Sequence, residues 1–478
     1  MDTREWEKNL NMFDQYVMNY IPIRLIRISD MKFVERSEVR KHFRGSVPRH
    51  KCDHDPASYV KYAILSHRWL DEGEPTYEEM KSGTARGPGY WKLKKFCEKA
   101  WSFKVEFAWS DTCCIDKSSS TELDQSIRSM HRWYYNSDIC IVHLAESETI
   151  EDMMYDEWTR RGWTLQELLA PVNIKFFNKY WMPMTRDAND KSPKKTEIMQ
   201  KLEIATGIPH KDLWIFQPGP ARVDERMTWA AKRKTTRVED VAYSLMGMFD
   251  VSLQIAYGEG RDRAFSRLIE AIMQGGDPSV LNWTGEPLLH SSSRAIPRSP
   301  ENFSGRTLQL PRDLGQLEMT MTSLGLRVPL VVLPLTLSWS IEQSRHKRNA
   351  TLECPFSRTF RCTLSRPIGC KANVSDTVAE GHHQFALGIV NYSLVSYEAP
   401  QIAGKSVGCV LFRSATHRNI CQPTSSAFVI NKRVSPPKIV FGQWKKVSQK
   451  GLVEVNFPKI PSDSYIYISH EYLKIVYL

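Results

Sequence analysis

Three polar groups close apolar runs in the first third of the chain, and their residue types could do chemistry. Ser66-His67-Arg68-Trp69 ends the run that begins at Tyr62. Ser110-Asp111-Thr112-Cys113-Cys114-Ile115-Asp116-Lys117 follows Val105–Trp109. Arg160-Arg161-Gly162-Trp163-Thr164-Leu165-Gln166-Glu167 comes after the run that ends at Leu144. A histidine and carboxylates suit proton transfer or the stabilisation of a cation, arginines suit an anion, and tryptophans offer a face on which a ring can stack. Each residue also has a plainer reading. His67 alone reads as a satisfied interior histidine. Asp111 and Asp116 could cap the following helix, and for Asp116 capping and ligand contact are equally open. Trp163 could be core, and Glu167 a solvated charge or a partner of Arg161.

The elements that must position these groups alternate. Tyr62–Ser66, Val105–Trp109, Ile139–Leu144 and Ile174–Phe177 read as short buried strands. Between them, Tyr90–Ala100, a helix from Thr121 and Trp158–Leu169 show apolar residues at helical spacing, the last closed by Pro171. Alternating strands and helices predict a mostly parallel sheet covered on both faces. In such sheets ligands bind beyond the carboxyl ends of the strands, so the three polar groups should share one rim.

The rest of the chain changes character twice. Lys195–Thr206, Asp224–Phe249 and Gly260–Gln274 carry helical core stripes. Residues 275–305 are rich in Gly, Pro and Ser and read as a linker. Beyond them, short apolar or alternating runs recur: Leu324–Leu333, Thr359–Leu364, Phe385–Val390, Val407–Phe412, Ala427–Asn431, Ile439–Trp444, Leu452–Phe457 and Tyr465–Ser469. This pattern predicts a β sandwich or barrel. The expected domains are therefore 1–182 with a core at about 59–180, a helical extension over 183–274, a linker over 275–305 and a β-rich domain over 306–478.

Length and composition fit several globular domains: 478 residues, 41% hydrophobic and 25% charged. The longest apolar stretch, Val328–Leu337, is interrupted by Pro329 and Pro334, too short to span a bilayer. The start, MDTREWEKNL, has no apolar core of a secretory signal. Ten cysteines contain no CxxC pair, and Cys52 and His54 beside His50 have no second pair at zinc spacing, so reduced cysteines in a cytoplasmic protein without a metal are expected. Gly404-Lys405-Ser406 resembles the tail of a phosphate loop, but Ala399 stands where its first glycine is needed. Gly258-Glu259-Gly260 reads as a turn and helix start. The net charge of +11 lies wholly after residue 304, where 21 Lys and Arg face 10 Asp and Glu; the first 304 residues hold 44 of each. Apart from Arg345-His346-Lys347-Arg348 the bases are scattered, which speaks against sequence-specific nucleic acid binding and leaves an anionic ligand on the C-terminal domain as an alternative.

Four blocks, in order and spacing, resemble the fungal HET (heterokaryon incompatibility) domain: YAILSHRW, FAWSDTCCIDKSSSTEL, SIRSMHRWYYNSDICIVHL and RRGWTLQELLAP. DERMTWAAKRKTTRVEDVAYSLMGMFDV and IAYGEGRDRAFSRLIEAI look like the helical region that commonly follows it. The resemblance implies a TIR-like, flavodoxin-like α/β domain and a role in non-self recognition leading to programmed cell death. It implies partnership by self-association or with another incompatibility protein. HET domains are also similar to TIR domains, some of which hydrolyse NAD at its glycosidic bond with a Glu in a W-C-x-x-E-L-like block. Trp163-Thr164-Leu165-Gln166-Glu167-Leu168 has that form, with Thr164 in place of Cys. The resemblance thus makes Glu167 the candidate catalytic carboxylate. Ser66, His67, Arg68, Trp69, Asp111, Asp116, Arg161 and Trp163 become candidate binding residues for NAD as a substrate, with no permanently bound cofactor. The rival expectation is a non-enzymatic signalling or scaffold module.

Overall fold

The computed structural model describes residues 3–48, 55–288, 295–306, 308–310, 314–341, 348–364, 383–394, 399–417, 439–441, 444–447, 451–457 and 464–478. His50, Cys52, His54, Arg345-His346-Lys347 and the expected strand Ala427–Asn431 lie outside the described residues. The chain forms two compact units: Met1–Gly219 with Thr228–Leu268, and Pro220–Met227 with Ile269–Leu478.

The first unit is built on a mixed sheet of six strands, β1 (Arg24–Arg27), β2 (Lys32–Glu35), β3 (Ala63–His67), β4 (Phe107–Trp109), β5 (Ile139–His143) and β6 (Ile174–Phe177). Their order is β2-β1-β4-β3-β5-β6. Strands β4, β3, β5 and β6 are mutually parallel, with Ser66 opposite Val142 and His67 opposite His143. Hairpin β1–β2 joins antiparallel at the β4 edge. All residues of β3, β5 and β6 are buried, as apolar runs of four to six residues covered on both faces demand.

Six helices of this unit matter below: α1 (Thr3–Asn19), α2 (Arg36–Phe43), α3 (Tyr77–Ser82), α4 (Pro88–Ser102), α5 (Ser120–Tyr135) and α6 (Thr164–Leu169). Helix α4 starts on Pro88, whose missing N–H costs nothing in the first turn, and buries Leu93, Phe96, Cys97 and Ala100. Helix α5 is capped by Ser119, whose side chain accepts from the Glu122 N–H, and buries Ile127, Met130, Trp133 and Tyr134.

Two expected helices are corrected. Trp158–Leu169 is not continuous: Glu157–Arg160 forms one 3-10 turn, and only Thr164–Leu169 is α-helical. Between them Gly162 donates its N–H to the Lys234 carbonyl at 2.8 Å, and a Cβ there would lie 2.4 Å from Thr235 Cγ2. Asp224–Phe249 likewise divides into helices Val223–Ala230, Asp240–Tyr243 and Met246–Phe249, while Arg261–Met273 is continuous.

The second unit is β-rich. Ten strands among its described residues form one antiparallel sheet around Gly325–Ile341, His383–Ile389 and Lys405–His417, with a separate three-stranded sheet. Val331, Leu333, Leu387, Ile389, Val410 and Val455 pack in its core. The segment 275–305, read from composition as a linker, contributes Val280, Leu281, Trp283, Ile296 and Phe303, all fully buried. No helix among the described residues is long and apolar enough to cross a membrane.

Candidate functional site

Two hydrogen-bonded groups lie side by side at the carboxyl end of β3. The inner group is Ser66, Glu167 and Trp158. Ser66 Oγ donates to Glu167 Oε2 at 2.5 Å and accepts from Trp158 Nε1 at 2.8 Å. Ser66 is 0% and Glu167 5% exposed, so this carboxyl has been moved out of water. Burial drives its pKa up to about 8; the nearby Asp111 charge adds to the rise, and Ser66, Arg161 and Tyr134 oppose it. The cost of an unpaired buried charge thus outweighs the partners, and the acid is mostly protonated near neutrality. Tyr134 donates its hydroxyl to the Leu65 carbonyl at 2.8 Å, bracing the same turn of β3.

The outer group is His67, Asp111 and Trp69. His67 Nε2 lies 3.3 Å from Asp111 Oδ1, and Trp69 Nε1 donates to Asp111 Oδ2 at 2.8 Å. Burial pushes Asp111 up, but His67, Lys117 and Trp69 outweigh it and hold the carboxyl below its ordinary range. His67 is pushed down by burial and by Lys92, against the pull of Asp111 and Glu74. Its Nδ1 is buried without a hydrogen-bond partner, 3.8 Å from Glu74 Oε1. Glu74 pairs with the buried Lys92 ammonium, which also donates to the Arg68 carbonyl at 3.2 Å. On the neighbouring strand His143 stacks on Trp181 at 4.2 Å and is held down to about 3, chiefly by burial.

The approach to α6 is set by residues far along the chain. Arg233 Nη1 donates to the Arg161 carbonyl at 2.9 Å and to Thr164 Oγ1 at 3.0 Å. Thr164 Oγ1 in turn donates to the Trp158 carbonyl at 2.5 Å. The break at Gly162 therefore aims α6 so that Glu167 meets Ser66.

Arg68, Arg161, Trp163 and Asp116 fall outside these two groups, and Trp69 is the exposed member of the outer one. Arg68 pairs with Glu146 at 2.6 Å. Trp69 is 38% exposed, with Lys117 Nζ 4.1 Å from its ring centre. Arg161 is half-buried and acts electrostatically on Glu167. Trp163 points its indole N–H to Asp240 at 2.9 Å, a carboxylate that also accepts from Tyr257, so it does not join the Ser66–Trp69 group. Asp116 accepts from the Ser118 N–H at 2.9 Å and from its hydroxyl, closing a turn in the loop ahead of α5, whose cap is Ser119. Sequence reasoning missed Trp158, Tyr134, Glu74, Lys92, His143 and Arg233. Trp158 and Tyr134 sat in helical stripes that looked like core, and nothing local marked the others. Among the described residues no group of three or more His, Cys, Asp or Glu side chains is placed to hold a metal ion.

Residues 62–152, which carry β3, β4 and β5 and the His67–Asp111–Trp69 group, match the family model described as heterokaryon incompatibility protein (HET). The chain carries a HET domain. The matched span stops short of Glu167. Similarity to a curated relative covers a longer stretch: the vegetative incompatibility protein HET-E-1 of Podospora anserina is 41% identical over 224 residues, which cover 44% of this chain and 16% of the relative. The chain thus spans about a sixth of that relative's length. No solved structure matches.

Proposed function

We propose that this chain is an effector of fungal heterokaryon incompatibility, acting in the cytoplasm to trigger cell death. On this reading its HET domain is a TIR-like, flavodoxin-like module that hydrolyses NAD at the nicotinamide–ribose bond. The observation that carries the enzymatic part is the Glu167 carboxyl, held 2.5 Å from Ser66 Oγ at the carboxyl end of β3. Two further features support it. Taken in order of appearance, the parallel strands run second, first, third, fourth, the arrangement of a doubly wound sheet. Ser66 and His67 end the first of these and His143 the third, which flank the point where the order reverses.

The chemistry asks for little beyond a carboxylate. The nicotinamide nitrogen leaves with the glycosidic electron pair and becomes neutral, so no general acid is needed. The ribose carbon gains cationic character, which ionised Glu167 would stabilise. Water adds there and loses its proton, giving ADP-ribose, nicotinamide and a proton. Arg161 would meet the pyrophosphate and Trp69 would stack on a ring. With a pKa near 8, about one molecule in ten has the carboxylate at pH 7, so the conformation described is a resting one.

A second reading, a non-enzymatic module acting by self-association or partner binding, is favoured by one observation: Glu167 is only 5% exposed, held by a Ser66 hydroxyl that is itself fully buried. The test is purified protein, wild type and Glu167→Gln, incubated with NAD while free nicotinamide is measured. The enzymatic reading expects release by the wild type and at least about a hundredfold less by the variant. No release by concentrated wild-type protein would leave the second reading.

A further inference from the structure

We infer that a cavity at the start of the first unit, outside the span matched by the family model, is a binding site for a phosphorylated anion. The cavity holds about 420 Å³ and is lined by Arg36, Arg40, Lys41 and Arg44, with Met18 and Ile23 as its apolar wall. That volume suits a small ligand of phosphate-plus-sugar size.

The sequence builds the basic side of this cavity by spacing. Arg36, Arg40 and Arg44 recur every four residues, so they share one face of α2 and the turn that continues it. The helix is fixed at its start by a reciprocal cap between Glu35 and Glu38. Arg36 is anchored from behind, donating to the carbonyls of Ile21 at 2.6 Å and Pro22 at 3.3 Å. Arg40 is clamped by both oxygens of Asp14. The two guanidinium groups are thereby held in place before any ligand arrives, which lowers the ordering cost of binding.

Charge points to the class of ligand. Glu35 is the acid in the lining, and it is shared with Arg24 Nε at 3.4 Å. Lys41 and Arg44 make no ion pair among the described residues. The first 304 residues carry equal numbers of acids and bases, so this local excess does not follow from the bulk charge. The forks of Arg36 and Arg40 are spent on the Ile21 and Pro22 carbonyls and on Asp14, so Lys41 and Arg44 are the groups that suit a phosphate, and the apolar wall, with Met18 55% exposed, suits the carbon skeleton behind it. A soluble phosphorylated metabolite and the headgroup of an anionic lipid share this chemistry.

The experiment uses the whole chain. Inorganic pyrophosphate is titrated calorimetrically into wild type, Lys41→Gln/Arg44→Gln and the control Lys232→Gln. Each protein is also sedimented with vesicles of phosphatidylcholine alone or mixed with phosphatidic acid. The inference expects wild type and control to bind at least one phosphate probe, with the double variant at least roughly tenfold weaker and binding that declines with salt. Pyrophosphate binding identifies a soluble source, and binding to phosphatidic acid vesicles alone identifies a headgroup. Absence of binding to either probe, or equal binding by the double variant, overturns the site. Should the double variant melt earlier than wild type, Arg44→Gln alone provides the same comparison.

Discussion

Replacing Glu167 with Gln should make this protein less sensitive to alkali. In the unfolded chain the carboxyl ionises near its ordinary value of 4.5; in the folded protein it is pushed to about 8 by burial. The folded pKa is therefore raised, so the favourable contribution is fully present below pH 4.5 and is lost as pH rises toward 8. Each pKa unit is about 1.4 kcal/mol, so between pH 5 and pH 8 the wild type should lose about 3 kcal/mol through this one group. Gln keeps the shape and cannot titrate. Other buried groups, such as His143 and Lys191, are common to both proteins and drop out of the difference. The assay is urea unfolding of wild type and Glu167→Gln at pH 5, 6, 7 and 8. The stability of the variant relative to wild type should grow by about 3 kcal/mol across the series. A difference constant to within about 0.5 kcal/mol would show that the carboxyl is not held protonated, and the electrostatic account of the inner group would be wrong.

Three other substitutions probe the same architecture. Ser66→Ala should cost about 1–3 kcal/mol, because it leaves both Trp158 Nε1 and Glu167 without their shared partner; unchanged unfolding would refute the contact. Asp111→Asn should move the His67 titration further down, since Asp111 is a group that favours the imidazolium, and an upward shift by NMR would contradict the pairing. Gly247→Ala should cost about 2 kcal/mol, because a Cβ there lies 2.2 Å from His131 Cβ; a melting temperature equal to wild type would mean that His131 can yield.

The parallel strands were legible because each is a short apolar run bounded by polar residues; Ile174–Phe177 needed no adjustment, and Ile139–Leu144 shortened by one residue. The β1–β2 hairpin was not, since Arg24-Leu25-Ile26-Arg27 is too short and too charged to announce itself. The helix from Trp158 to Leu169 was overextended because periodicity continues across Gly162, whereas the chain breaks there to pair with Lys234, a contact 72 residues away. The same limit governed the site. Order along the chain placed Ser66, His67, Trp69 and Asp111 at strand ends, and the structure joins them. Trp163 and Asp116 share those segments but turn to Asp240 and Ser118. Spacing places a residue on an element; which way an indole or carboxylate turns depends on partners, and for Trp163 that partner lies far along the chain.

The central claim, that an ionised Glu167 drives cleavage of NAD, is tested most directly by the pH dependence of nicotinamide release at limiting NAD. The account predicts a rate that rises with pH through a pKa near 8, as the buried carboxyl ionises, and that disappears in Glu167→Gln. Release that is independent of pH across that range, release undiminished in Glu167→Gln, or no release at any pH would contradict it.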